Sequence, residues 1–134
     1  MCIRDRHIGD DELPVALVRK LVGSTKIVGV SAKTVARGVE AENEGVDYLG
    51  VGAIFPTMTK DSPLTSLQTL SEIAAAVTIP VVAIGGIKEE NIEQLMGTGV
   101  AGVSLVSEIM LAEQITEKVQ GLMRVTERML EARK

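Results

Sequence analysis

The sequence predicts an α/β fold built on a parallel sheet, and three observations carry that expectation. Short continuous apolar runs rich in Val, Ile and Gly alternate with longer segments of helical spacing, and the connections between them are short. One unit also echoes another. Residues 44–52 are matched by residues 98–107, in each case a helix end capped by glycine that feeds a Gly-containing strand. Unbroken apolar runs mark strands buried on both faces, as parallel sheets require, and their repeated alternation with helices marks right-handed βαβ units.

Taken in order, residues 1–6 read as a charged leader unrelated to the fold, and residues 7–134 as its single domain. His7, Ile8 and Gly9 look like the tail of a strand. An amphipathic segment over 13–22 follows, with Pro14 in its first turn, where a missing N–H costs no helical hydrogen bond. The run 26–31 predicts a strand, 34–44 a helix closed by Gly45, 48–52 a strand and 66–77 a helix. Residues 81–86 predict a strand, 89–96 a helix with Gly99 near its C-cap, 102–107 a strand, and 107–133 a last helix. About four βα units fit either a small open doubly wound sheet or half of an eight-stranded barrel. A whole barrel usually needs ~250 residues, and this chain has 134.

Composition excludes several functions. A net charge of -4 offers no basic face for nucleic acid or anionic membranes. With Tyr48 and Phe55 as the only aromatic residues and no Trp, there is no platform for stacking bases. Cys2 is the single cysteine, so no intramolecular disulfide forms. No apolar run reaches the length of a signal peptide or a membrane span, and the expected location is the cytoplasm.

Parallel β/α folds place ligands at the carboxyl ends of their strands, which directs attention to Ser31, residues 52–60, Gly85-Gly86 and Val106-Ser107. In the second of these, Thr57 and Thr59 at alternate positions run directly into Lys60, offering donors to an anion, although a solvated turn stiffened by Pro56 and Pro63 has the same composition. Gly85-Gly86 lets a backbone approach a phosphate closely, or simply permits a tight turn. Asp10, Asp11 and Glu12 precede a helix, where acids cap and favour the dipole; one of them could instead help to hold Mg2+. His7, the only histidine, has no partner at a motif spacing and is given no catalytic role.

In order and spacing, His7-Ile8-Gly9 with its following acids, Gly29-Val30-Ser31-Ala32, residues 52–60 with their Pro-Thr-x-Thr-Lys loop, Ile84-Gly85-Gly86-Ile87 and residues 102–107 resemble the thiamine-phosphate synthases. The resemblance covers His7 to about Met110. It implies a parallel (β/α) barrel of TIM type, present as its carboxy-terminal half. It further implies an enzyme of thiamine biosynthesis that joins a pyrimidinylmethyl diphosphate to a thiazole phosphate, with release of diphosphate and Mg2+ as cofactor. On that resemblance Ser31 and Lys60 act on the pyrimidine diphosphate as the catalytic pair. Thr57, Met58, Thr59, Gly86, Val106 and Ser107 line the thiazole phosphate site, and Glu12, or Asp11 in its place, binds the metal.

The chain departs from that family's pattern at three positions: Glu12 replaces an Asp, Ala53 a Pro and Asp10 a Gln. The family's Gln-x-Arg-x-Lys clamp and Asn-Asp pair, which belong to earlier strands, do not occur in residues 1–134. Partners implied are the two small substrates, and open barrel edges would favour self-association. Two other readings stand beside this one. A relative of the thiazole tautomerases is disfavoured by the Pro-Thr-x-Thr-Lys loop; a non-catalytic half-barrel that binds phosphorylated metabolites is the other.

Overall fold

A computed structural model describes residues 5–9, 12–58 and 62–131. Its strands are β1 (Asp5–Ile8), β2 (Ile27–Ser31), β3 (Tyr48–Val51), β4 (Val81–Ile84) and β5 (Gly102–Ser104). Its helices are α1 (Val15–Val22), α2 (Val35–Asn43), α3 (Leu67–Ala76), α4 (Ser107–Met110) and α5 (Ile115–Glu131), with a 3₁₀ turn at Ile92–Leu95. All neighbouring strands are parallel, and their spatial order is their chain order, β1-β2-β3-β4-β5. Because βαβ crossovers are right-handed, an order that never reverses puts every crossover on the same face. The sheet is therefore singly wound, which removes the doubly wound alternative.

Alternation of burial along the strands agrees. Val28, Val30, Leu49, Val51 and Ala83 are wholly buried beneath the helices, together with Leu70, Ile73 and Ile92 from the outer layer. The alternate positions Asp5, His7, Ser31, Tyr48, Gly52, Val82 and Ile84 are left partly or well exposed. In β2, β3 and β4 one face is thus core and the other is bare among the described residues, unlike the two covered faces the apolar runs imply. Glycine and valine keep those runs apolar on the bare side too.

Local capping explains the helix starts. Thr34 Oγ1 accepts the Arg37 N–H at 3.2 Å, and Ser66 Oγ accepts that of Thr69 at 3.0 Å. Three expectations need correction. The segment 89–96 forms only the 3₁₀ turn, because Asn91 Oδ1 accepts the Lys88 N–H at 2.8 Å while its Nδ2 donates to the Gly86 carbonyl at 3.0 Å. That side chain holds the preceding backbone in a turn that a helix would have to undo. The last helix is two, broken over 111–114, since α4 sits at the strand end whereas α5 packs on the 3₁₀ turn and β5. The first strand also begins before His7: β1 includes Asp5 and Arg6, read from the sequence as leader, which pair with Ile27 and Val28. An edge strand needs only backbone partners, so the charge of those two side chains is no obstacle.

Two braces cross the elements on the helix side. Asp47 accepts the Val28 N–H at 2.7 Å and pairs with Arg19 at 2.6 Å, and Arg19 also donates to the Lys26 and Gly45 carbonyls. That N–H bond and, after it, the Arg19 guanidinium hold the Asp47 carboxyl below its usual range. Glu42 of α2 accepts from the Thr78 N–H at 2.7 Å, the Thr78 hydroxyl at 2.6 Å and the Ile79 N–H at 3.2 Å, tying α2 to the approach to β4.

Candidate functional site

Register fixes what meets at the carboxyl end of the sheet. Ile84 pairs with Ser104, so Gly86 and Val106 each follow, two residues on, from the ends of adjacent strands. The chain beyond β3 keeps running along β4: the Ile54 N–H donates to the Ile84 carbonyl at 3.1 Å and the Phe55 N–H to that of Gly85 at 3.0 Å. The base of this loop is closed where the Thr65 N–H reaches the Ala53 carbonyl at 2.7 Å. Gly86 has φ +64, and a side chain there would strike the carbonyls of Phe55 and Pro56. The two loops are in backbone contact, and only glycine allows it. The close approach expected of a phosphate at the Gly86 Cα is therefore made by the chain's own loop.

The predicted phosphate-site residues fare differently. Gly86 is brought against the Phe55-Pro56 segment, and Val106 stands at the N-cap of α4 without a side-chain hydrogen bond. Ser107 opens α4 and is exposed; Thr57 is partly covered; the Met58 side chain stands fully in solvent. Thr59, Lys60, Asp10 and Asp11 lie outside the described residues.

Ser31 has company that sequence reasoning missed. Its Oγ lies 2.9 Å from His7 Nε2, and His7 Nδ1 lies 3.1 Å from the Tyr48 hydroxyl, the two rings being 5.6 Å apart. All three are on the bare face. A side chain on Gly50 would come within 2.8 Å of His7 Cε1, and one on Gly29 would collide with the Tyr48 ring. The rings lie down on a floor of glycine. Period-two reading of Gly29-Ser31 and Tyr48-Gly50-Gly52 carries this signal, whereas the 41-residue separation of His7 from Tyr48 hides it from any local motif.

Desolvation of the covered side of the His7 ring lowers its pKa from the ordinary 6.5, against an upward pull from the carboxylates of Glu12 and Asp5. Tyr48 is pushed up, first by burial and then by Asp5. A depressed folded-state value means that the fold favours neutral His7. Its contribution to stability is therefore complete above 6.5 and is lost as pH falls through the folded value. Urea midpoints measured downward from 6.5 should fall more steeply for the native chain than for His7→Gln. Parallel curves would remove His7 as the source.

Glu12, the candidate metal ligand, accepts the Gly9 N–H through Oε2 at 2.8 Å and so closes the turn into α1. Among the described residues no group of three or more His, Cys, Asp or Glu side chains is placed to hold a metal ion. Mg2+ takes about six oxygens in an octahedron, and the described residues do not build that site. No chemical step is assigned to a metal here.

The fold is thus a singly wound parallel α/β sheet whose bare face carries the His7, Ser31 and Tyr48 side chains. Residues 3–109 match the family described as thiamine monophosphate synthase. A thiamine-phosphate synthase of Enterococcus faecalis is 98% identical over 128 residues, covering 96% of this chain and 61% of the relative. Thiamine-phosphate synthase 2 of Streptococcus pneumoniae is 59% identical over 119 residues, covering 88% and 57%. Among solved structures, thiamine phosphate pyrophosphorylase from Pyrococcus furiosus superposes with a TM-score of 0.84 at 35% identity, over 92% of this chain and 59% of that one. The chain belongs to the thiamine monophosphate synthase family, and it spans about three fifths of the length of these relatives. Among the described residues no helix is long and apolar enough to cross a membrane.

Proposed function

We propose that these residues form the thiazole-phosphate half of a thiamine-phosphate synthase site, and that the sheet is five strands of an eight-stranded (β/α) barrel of TIM type. Supporting the barrel are the unreversed strand order, the bare face and the coverage of the Pyrococcus structure, since five of eight units is roughly 60% of such a fold. The reaction is the coupling of 4-amino-2-methyl-5-pyrimidinylmethyl diphosphate with 4-methyl-5-(2-phosphoethyl)thiazole to give thiamine phosphate and diphosphate. It asks the protein to position two substrates and to stabilise departing negative charge. Ser31 and Lys60 serve the diphosphate. Residues 57–59, Gly86, Val106 and Ser107 surround the thiazole phosphate.

The observation that carries this reading is the backbone contact of Gly86 with the Phe55-Pro56 segment, at the end of the strand beside the one that leads to Val106, in a chain of this family. Gly86→Val would push that segment off β4 and open the cradle. Calorimetry with the thiazole phosphate should show binding lost or weakened at least tenfold in Gly86→Val, about 1.4 kcal/mol or more, and little changed in Lys60→Ala. Equal losses in both variants would overturn the division of the site between the two substrates.

A further inference from the structure

We infer that Tyr48 and the two glycines beneath the rings, Gly29 and Gly50, are positioning residues: they hold His7 with its proton on Nε2, which leaves the Ser31 hydroxyl free to donate to an anion. The inference deepens the reading above, in which Ser31 meets the substrate diphosphate.

A neutral imidazole has one donor nitrogen and one acceptor nitrogen, so the row Ser31–His7–Tyr48 has two possible polarities. In one, the Tyr48 hydroxyl donates to Nδ1 and Nε2–H donates to Ser31 Oγ, whose own proton points outward. In the other, Ser31 donates to Nε2, Nδ1–H donates to Tyr48, and serine presents only lone pairs. An anion accepts and never donates, so only the first polarity lets Ser31 serve it. Phenol is a stronger acid than an aliphatic alcohol, hence the better donor and the poorer acceptor. With Tyr48 at Nδ1 and Ser31 at Nε2, the first polarity is the stable one.

Glycine makes the alignment possible. Both rings occupy space that a Cβ at position 29 or 50 would take, so the row is set by strand backbones and not by further side chains. Among the described residues the charged groups acting on it are Asp5 on β1 and Glu12 after it, both carboxylates.

His7 is the only histidine, so its imidazole nitrogens can be assigned without ambiguity in a long-range nitrogen–proton correlation spectrum of the 134-residue chain. Recorded well above 6.5, where the ring is neutral, the spectrum should show Nε2 protonated and Nδ1 bare. Tyr48→Phe should give averaged signals from mixed tautomers, whereas Ser31→Ala should leave the Nε2–H form in place. Gly50→Ala, which removes no polar group, should behave like Tyr48→Phe; if it does not fold, Tyr48→Phe decides.

An Nδ1–H form in the native chain, or an unchanged tautomer in Tyr48→Phe, would overturn the assignment. Inorganic diphosphate should bind about tenfold more weakly to Ser31→Ala, as expected for one lost hydrogen bond to a charged group, and measurably more weakly to Tyr48→Phe. Equal affinity in the native chain and Tyr48→Phe would overturn the donor role. Diphosphate that fails to bind the native chain at all would count against the proposed function, and the tautomer would still stand or fall on the spectrum.

Discussion

A polypeptide of residues 1–134, given both substrates and Mg2+, is expected to form no measurable thiamine phosphate. It should gain turnover when a second polypeptide carrying the family's Gln-x-Arg-x-Lys and Asn-Asp motifs is added. Residues 1–134 contain neither motif. Losing one well-placed donor to developing charge costs ~100- to 1,000-fold in rate, and here several are absent together. Restoration is expected because β1 and β5 are unpaired on their outer sides among the described strands, with backbone groups ready to accept a parallel neighbour. Product formation is read directly, first for residues 1–134 and then for the mixture. Turnover by the single polypeptide as fast as by the mixture would show that the diphosphate is held by residues given no role here.

Leu49→Ala is expected to destabilise the fold by ~2–5 kcal/mol, as truncations of buried leucines do. Leu49 is wholly buried in the central strand, and its Cδ1 lies 3.3 Å from where a side chain on Gly38 of α2 would begin. α2 approaches the sheet closely at that glycine, so the helix has little room to settle into the vacated space. Because the total stability of such a domain is only ~5–15 kcal/mol, a large fraction of it would be lost. Urea unfolding of the two proteins gives the comparison, and a loss below ~1 kcal/mol would mean that α2 is not seated on β3 as described.

What the sequence disclosed and what it withheld divide along a physical line. The parallel strands were legible because residues such as Val28, Val30, Leu49 and Val51 must be apolar to sit under helices, and the helices because their apolar residues recur at helical spacing, with Gly45 closing one of them. Ser31 and Gly86 could be singled out because strand ends are where such folds present polar groups. The His7–Ser31–Tyr48 row was not legible, since its members come from three strands and their contact depends on lateral register. Nor was the 3₁₀ turn, where the Asn91 side chain overrides a helical pattern. The break between α4 and α5 has no proline or glycine to announce it and follows from what each half packs against.

The two braces on the helix side overlap. Asp47 and Arg19 join α1 and β2 to the foot of β3, and Glu42, from the helix between those strands, reaches past α3 to the start of β4. A chain of repeated βα units could in principle fray one unit at a time from either edge. Here the removal of one unit also breaks contacts made by another, which adds a cost to melting a single unit. The braces couple β2 to β4, and with them Ser31 and Tyr48 on the other face, whereas His7 on β1 is joined to that block by strand pairing and by its two side-chain contacts.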